Sequence, residues 1–154
     1  MINLNTLDAF SASEASSRWG FTENYVRKEY KKNPDKFLEG SIRLFGSTYI
    51  ITREGMEHLT GVTEEDANSW IIWHEKNDKI DFEKRIPSEI ECRDFLSSLY
   101  EAATNDKNYT IHYSQFNKNV SYLNIPQKGR YYFSKYYYFK KYQKKIFKRN
   151  LLTN

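Results

Sequence analysis

Asn24, Arg27, Lys28, Lys31 and Lys32 stand within nine consecutive positions, with Thr22 just ahead of them and Arg43 a short way downstream. These are the side-chain types that read and hold nucleic acid. An Asn amide pairs bidentately with adenine, an Arg guanidinium pairs with guanine, and a Lys ammonium neutralises phosphate. To act together they must project from a rod slim enough to enter a major groove. The competing reading is an ordinary helical hairpin with solvated charges, so the decision rests on the elements around them.

Those elements are legible from capping and periodicity. Ser11-Ala12-Ser13-Glu14 fits a capping box, and Ala12, Ala15, Ser16 and Trp19 then recur at i, i+3, i+4 and i+7. Small residues on that face admit a second helix at close range, and Trp19 supplies buried area. Gly20 stands where a helix ends in a left-handed residue. Thr22 is expected to cap a second helix, Glu23–Lys32, with Val26 and Tyr30 turned inward. Asn33-Pro34-Asp35 breaks it. Ser41 to Phe45 and Thr48 to Ile51 read as strands joined by Gly46-Ser47, and Thr52 caps a last helix that carries Met56 and Leu59 and stops at Gly61.

This order resembles the excisionase and MerR-type winged helix-turn-helix modules of phages, plasmids and other mobile elements. The resemblance rests on Glu14-Ala15, Gly20, Val26, the basic Arg43, the return Tyr49-Ile50-Ile51 and the helix start Thr52-Arg53-Glu54. Leu38 departs from it, standing where a proline would precede Glu39-Gly40. It implies a DNA-binding module over residues 1–61, with Thr22, Asn24, Arg27, Lys28, Lys31, Lys32 and Arg43 as the DNA-contacting set and double-stranded DNA as partner. A protein-binding version of the same fold is the alternative.

At 154 residues the chain is long enough for one domain or two small ones, and 39% hydrophobic content suffices for a core. The single cysteine, Cys92, leaves no internal disulfide and fits a reducing, cytoplasmic setting. Met1-Ile2-Asn3-Leu4 has neither the basic start nor the apolar run of a signal peptide, and no apolar run reaches bilayer length. Charge is segregated. Residues 1–61 hold eight basic and eight acidic side chains, 62–106 hold five and twelve, and 107–154 hold eleven and none. Two opposed fields on one small protein point to partners, unless middle and tail neutralise each other on folding.

The second half, 62–154, reads as a small helical and antiparallel β module, making the whole α+β. Thr63 opens an apparent acidic helix through Trp70, Ile71 and His74, whose two tryptophans could form core, join the halves or anchor a homodimer. His74 reads as a packed histidine. Asp78 to Arg85 reads as a charged loop and the boundary inside the chain. Ser88 and Glu91 make a second capping box, before a helix with Cys92, Phe95, Leu96, Leu99 and Ala103 on one face. Tyr109, Ile111 and Tyr113 then alternate as a strand, Asn117-Lys118-Asn119 turns, Val120 to Ile125 returns, and a further strand follows Gly129. Beyond Ser134, Phe139, Tyr142 and Ile146 favour a helix.

Lysines interleave with tyrosines in this tail. Arg130, Tyr136, Lys140, Lys141, Lys144 and Lys145 are the candidate second surface, suited to single-stranded nucleic acid, to a protein partner, or in part simply to core. No catalytic constellation stands out. His58, His74 and His112 fall in three different elements without metal-ligand spacing, no glycine-rich phosphate loop is present, and Asp78, Asp81 and Glu83 lack the other ligands of a calcium loop. No enzymatic activity, cofactor or metal is expected.

Two functional readings follow. One is a sequence-specific DNA-binding protein of a mobile element, a transcriptional regulator or excisionase-like accessory factor. The other rests on a second resemblance: a helix-turn-helix fused to a segment of this size resembles certain anti-CRISPR proteins. That resemblance implies that the first module autoregulates while 62–154 inhibits an RNA-guided type II CRISPR nuclease. A structural interaction protein is the blandest third reading.

Overall fold

The capping box at Ser11 starts the first helix as its spacing dictates: the Glu14 amide donates to Ser11 Oγ at 3.2 Å, while the Glu14 carboxylate turns along the helix toward Arg18. The computed structural model describes residues 8–106, 108 and 110–153, the side chains of 146–153 excepted. It shows a mixed protein of six α-helices and two antiparallel sheets among those residues, divided into compact units of 1–67 and 68–154.

In the first unit, strand β1 (Ala9–Ser11) leads into α1 (Ala12–Arg18), then α2 (Tyr25–Lys32), the hairpin β2 (Ile42–Phe45) and β3 (Thr48–Thr52), α3 (Arg53–Thr60) and the short α4 (Glu64–Ala67). The strands pair in the order β1-β3-β2, with Phe10 and Ile42 on either side of Ile51. Helix α3 has the expected ends, Thr52 Oγ1 accepting from the Gly55 amide at 2.9 Å and Gly61 left-handed at φ 75°. Gly55 is required by proximity, since a Cβ there would lie 2.7 Å from Ser41 Cβ. Trp19 sits at the centre, fully enclosed with Val26, Ile51 and Met56.

The unit runs past the expected limit at Gly61. Val62 and Ala67 are buried, and Trp19 Nε1 donates to the Val62 carbonyl at 3.1 Å. Glu64 takes Arg18 at 2.9 Å and Arg53 at 3.1 Å, and Arg53 also holds Asp8 at 2.7 Å. Both guanidinium groups lie over Phe10, at 4.2 and 5.2 Å from the ring centre.

The second unit corrects the largest sequence expectation. Residues 70–76, read as the body of an acidic helix, form strand β4 (Trp70–Lys76), and the supposed loop 78–85 is the body of β5 (Lys79–Ile86). Their hairpin closes through Asn77 and Asp78, both at positive φ (55° and 61°), as a two-residue turn requires. Helix α5 (Glu89–Thr104), β6 (Ser114–Gln115), β7 (Ser121–Ile125), β8 (Gly129–Lys135) and α6 (Tyr136–Thr153) complete the unit. The sheet order is β5-β4-β8-β7-β6.

Strand β4 lies between β5 and β8 and is covered on both faces. Ile71 and Trp73 join Val120, Tyr132, Phe139 and Tyr142 beneath α6, whereas Ile72 joins Cys92, Leu96, Leu123, Ile125 and Phe133 beneath α5. A strand buried on both sides loses the alternation that would mark it, and its apolar run imitates a helix face. The outer strand β5 instead carries Lys79, Asp81, Glu83, Lys84 and Arg85 in the open.

The expected strand through Ile111 and Tyr113 is also absent. Those two side chains pack on the α5 cluster, but the ladder begins only at Ser114. Tyr109, and the side chain of Ile146 assigned to the tail helix, lie outside the described residues. The turn at 117–119 forms as expected, Asn117 Oδ1 accepting from the amides of Asn119 and Val120.

Glu64 makes the first unit sensitive to acid. Hydrogen bonding from Arg18, opposed by partial desolvation and aided by Arg53, holds its carboxyl below the ordinary value of 4.5. A depressed folded pKa gives stability that is present above the unfolded value and lost as pH falls through the folded one. Glu64→Gln should therefore lower stability at neutral pH and flatten its loss below about pH 5, read from urea midpoints across a pH series. Parallel curves for wild type and variant would remove this role.

Candidate nucleic-acid interface

Helix α2 is presented by a hydroxyl relay that its own sequence does not reveal. The helix begins at Tyr25, two residues later than expected. Thr22 does not cap it, because its hydroxyl donates to Asn24 Oδ1 at 3.0 Å. Asn24 at the N-cap makes no side-chain capping bond either. The cap comes from α1: Ser16 Oγ, fully buried, accepts from the Val26 amide at 3.1 Å and donates to the Ala12 carbonyl at 2.7 Å.

The turn between the helices is a Schellman motif. Gly20 at φ 81° donates to the Ser17 carbonyl at 3.0 Å, and Phe21 donates to the Ser16 carbonyl at 2.9 Å. Tyr30 then fixes the far end of α2 on the hairpin side, edge-on to Phe37 at 5.1 Å and to Tyr49 at 5.3 Å.

With Val26 and Tyr30 turned in, Arg27, Lys28, Lys31 and Lys32 form one exposed arc on the opposite side of α2. A cleft of about 490 Å³ lies beside the start of the helix, walled by Ser13, Thr22, Asn24, Arg27, Ser47 and Tyr49 among others. It gathers Thr22, Asn24 and Arg27 from the expected set. Lys28, Lys31 and Lys32 lie outside it on the helix, and Arg43 lies outside it on β2, exposed, with its guanidinium 5.0 Å from the Phe45 ring. The hairpin contribution of Ser47 and Tyr49 was not singled out from sequence. Nor were Leu44 and Phe45, about half exposed on the same hairpin (50% and 55%), which no local pattern distinguishes from core.

The cations are sorted by this fold. Arg18 and Arg53 are tied to Glu64, and Arg53 to Asp8 as well. A unit carrying more acidic than basic residues thereby sets its outward positive charge along α2 and the hairpin.

The second candidate surface divides. Lys141, Lys144 and Lys145 are exposed on α6, and Arg130 is exposed on β8 with its guanidinium 4.0 Å from the Tyr122 ring and Nε donating to Asn124 Oδ1 at 3.3 Å. Lys140 is half-buried. Tyr136 is not an open stacking platform, because the Arg85 guanidinium covers its ring at 3.8 Å. Cys92 is fully enclosed, and burial, then Glu89 and Glu91, pushes its thiol up to about 12, which suits packing rather than nucleophilic chemistry. His74 is a packed histidine, its ring nitrogens facing two acceptors, Asp81 Oδ1 at 2.6 Å and the Lys128 carbonyl at 2.8 Å. Among the described residues, no group of three His, Cys, Asp or Glu side chains is placed to hold a metal ion, and no helix is long and apolar enough to cross a membrane.

A family model described as a helix-turn-helix domain matches residues 1–65, which spans the first unit to within two residues of its end. The first unit is a helix-turn-helix domain. No curated protein and no solved structure matches the chain.

The relay predicts a specific cost. Ser16→Ala leaves the Val26 amide buried and unpaired, and should destabilise the first unit by about 1–3 kcal/mol. Hydrogen exchange at the α1 and α2 amides would measure it, and unchanged protection would show that the amide had found another acceptor.

Proposed function

We propose that the helix-turn-helix unit binds double-stranded DNA at a defined sequence, as a transcriptional regulator or an excisionase-like accessory factor of a mobile element. Helix α2 enters the major groove, Asn24 and Arg27 face base edges near its start, and Lys28, Lys31 and Lys32 neutralise flanking phosphates. The hairpin acts as a wing, and Arg43 reaches a neighbouring phosphate or the minor groove. The observation that carries this reading is the continuous exposed arc on α2, set opposite the anchored Val26 and Tyr30. The protein in this reading is a binding protein without catalytic activity.

A second reading draws on the separate core and sheet of residues 68–154. That layout is the one an anti-CRISPR protein would need, with the first unit regulating its own gene and the second inhibiting a type II CRISPR nuclease. Adding the full chain to a reconstituted cleavage reaction should then slow cutting in proportion to its concentration, and cleavage at the uninhibited rate would end this reading.

For the DNA-binding reading, selection from a random double-stranded library should enrich one motif. Arg27→Ala with Lys28→Ala should abolish its selective shift in a gel. The slope of log affinity against log salt should shrink by about 0.9 for each phosphate no longer neutralised. An unchanged footprint and slope would remove α2 from the interface.

A further inference from the structure

The second unit contains a cleft of about 480 Å³ on the α6 side of its sheet, large enough for a nucleoside. Its lining is chemically uneven. Glu75 of β4 contributes a carboxylate whose Oε1 is sealed from solvent and has no hydrogen-bond partner among the described residues. A buried acceptor left bare costs free energy comparable to a lost hydrogen bond, so it is a position where a ligand N–H is rewarded. Burial, and after it the neighbouring Glu75 carboxylate, raise the Tyr142 pKa.

Aromatic rings frame that carboxylate. Tyr132 and Tyr142 lie 5.6 Å apart, both backed by Trp73 at 5.4 and 5.3 Å. Phe116 stands edge-on to both of them, at 5.8 and 5.4 Å, while 48% exposed itself. A phenyl ring with about half its surface in the open keeps area available for stacking. Asn117 spends its Oδ1 on the turn, which leaves its amide nitrogen to donate. At the rim, Lys141 and Lys145 line the cleft one helical turn apart, with Lys144 exposed beside them.

We propose that this cleft takes one unpaired nucleotide of a single-stranded nucleic acid, guanine by preference. The base stacks on Phe116, Glu75 accepts from it, and Lys141 and Lys145 hold the adjoining phosphates. Guanine fits because its N1–H and N2–H donors are adjacent and its O6 can accept from Asn117. Thymine and uracil offer one N–H between two carbonyls, which the carboxylate would repel. Two carboxylates, Glu75 and Asp78, and two lysines, Lys141 and Lys145, balance the charge of the lining, so an organic cation such as an arginine side chain is the competing ligand that the test must exclude. Single-strand binding by stacking platforms beside backbone-tracking cations is the mode this arrangement serves.

The cleft belongs to the second unit and α2 to the first, so the test uses the full chain carrying Arg27→Ala and Lys28→Ala, which leaves the cleft intact whatever those changes do to duplex binding. Fluorescein-labelled single-stranded DNA of about ten nucleotides, all thymine or with guanines substituted at its centre, is titrated by anisotropy. Guanine-containing strands should bind about 10-fold tighter than thymine strands, since a well-placed bidentate pair discriminates by that order. Glu75→Gln should erase the preference and retain thymine binding, because an amide replaces one acceptor with a donor. Phe116→Ala, at an exposed position, should weaken both strands about 10-fold. Lys141→Ala with Lys145→Ala should weaken both and flatten the salt dependence. Equal affinity for both strands, a preference that survives Glu75→Gln, or binding of a labelled arginine-rich peptide with no oligonucleotide binding would each overturn the assignment.

Discussion

The helix-turn-helix unit depends on one hydroxyl. Ser16 bridges the Ala12 carbonyl and the Val26 amide, so the first helix supplies the cap that the second lacks. A helix of eight residues is too short to persist by its own propensity and needs its first amides satisfied and one face packed. Ser16 satisfies one amide, Val26 and Tyr30 provide the face, and the small Ala12 and Ala15 beside Ser16 allow the helices to approach that closely. The orientation of Arg27, Lys28, Lys31 and Lys32 is a consequence of that contact.

The second unit is organised by a different constraint. Strand β4 is enclosed by two neighbours in the plane and two helices above and below, so each of its side chains from Ile71 to His74 is buried. Apolar residues fill that enclosure until His74, which is accommodated by two acceptors and stacked on Tyr131 at 4.5 Å. Glu75 follows at the margin of the core, where the covering gives way to the cleft. A change from sealed core to open chemistry thus occurs over three consecutive residues, Trp73 to Glu75.

Most local capping signals in the sequence hold, Thr22 excepted. Ser11, Gly20, Thr52, Gly61 and Ser88 each act on amides or carbonyls within a few residues, and each stands where its type and spacing predict. The α5 face, with Cys92 and Leu96 fully enclosed, was legible for the same reason. Long-range constraints were not. The relay from Ser16 to Val26 spans ten residues and looks from sequence like an ordinary small residue on a packed face. Trp70 to Lys76 matched a helical period because burial on both sides erased the strand period, although Asn77-Asp78 marked the hairpin behind it. Of the candidate DNA-contacting residues, exposure and helical grouping could be anticipated. The contribution of Ser47 and Tyr49 to the adjoining cleft required the tertiary fold.

The outer strand β5 has one more consequence. Its unpaired edge would offer a template for strand addition, yet Lys79, Asp81, Glu83, Lys84 and Arg85 crowd it with charges of both signs. An incoming strand would have to strip water from several of these groups at once without supplying matched countercharges. The opposite border is guarded by brevity, since β6 offers only Ser114 and Gln115. Fibre-like growth of this sheet is disfavoured at both borders, which lets a lysine- and tyrosine-rich polypeptide keep a long β-strand in its centre without recruiting copies of itself.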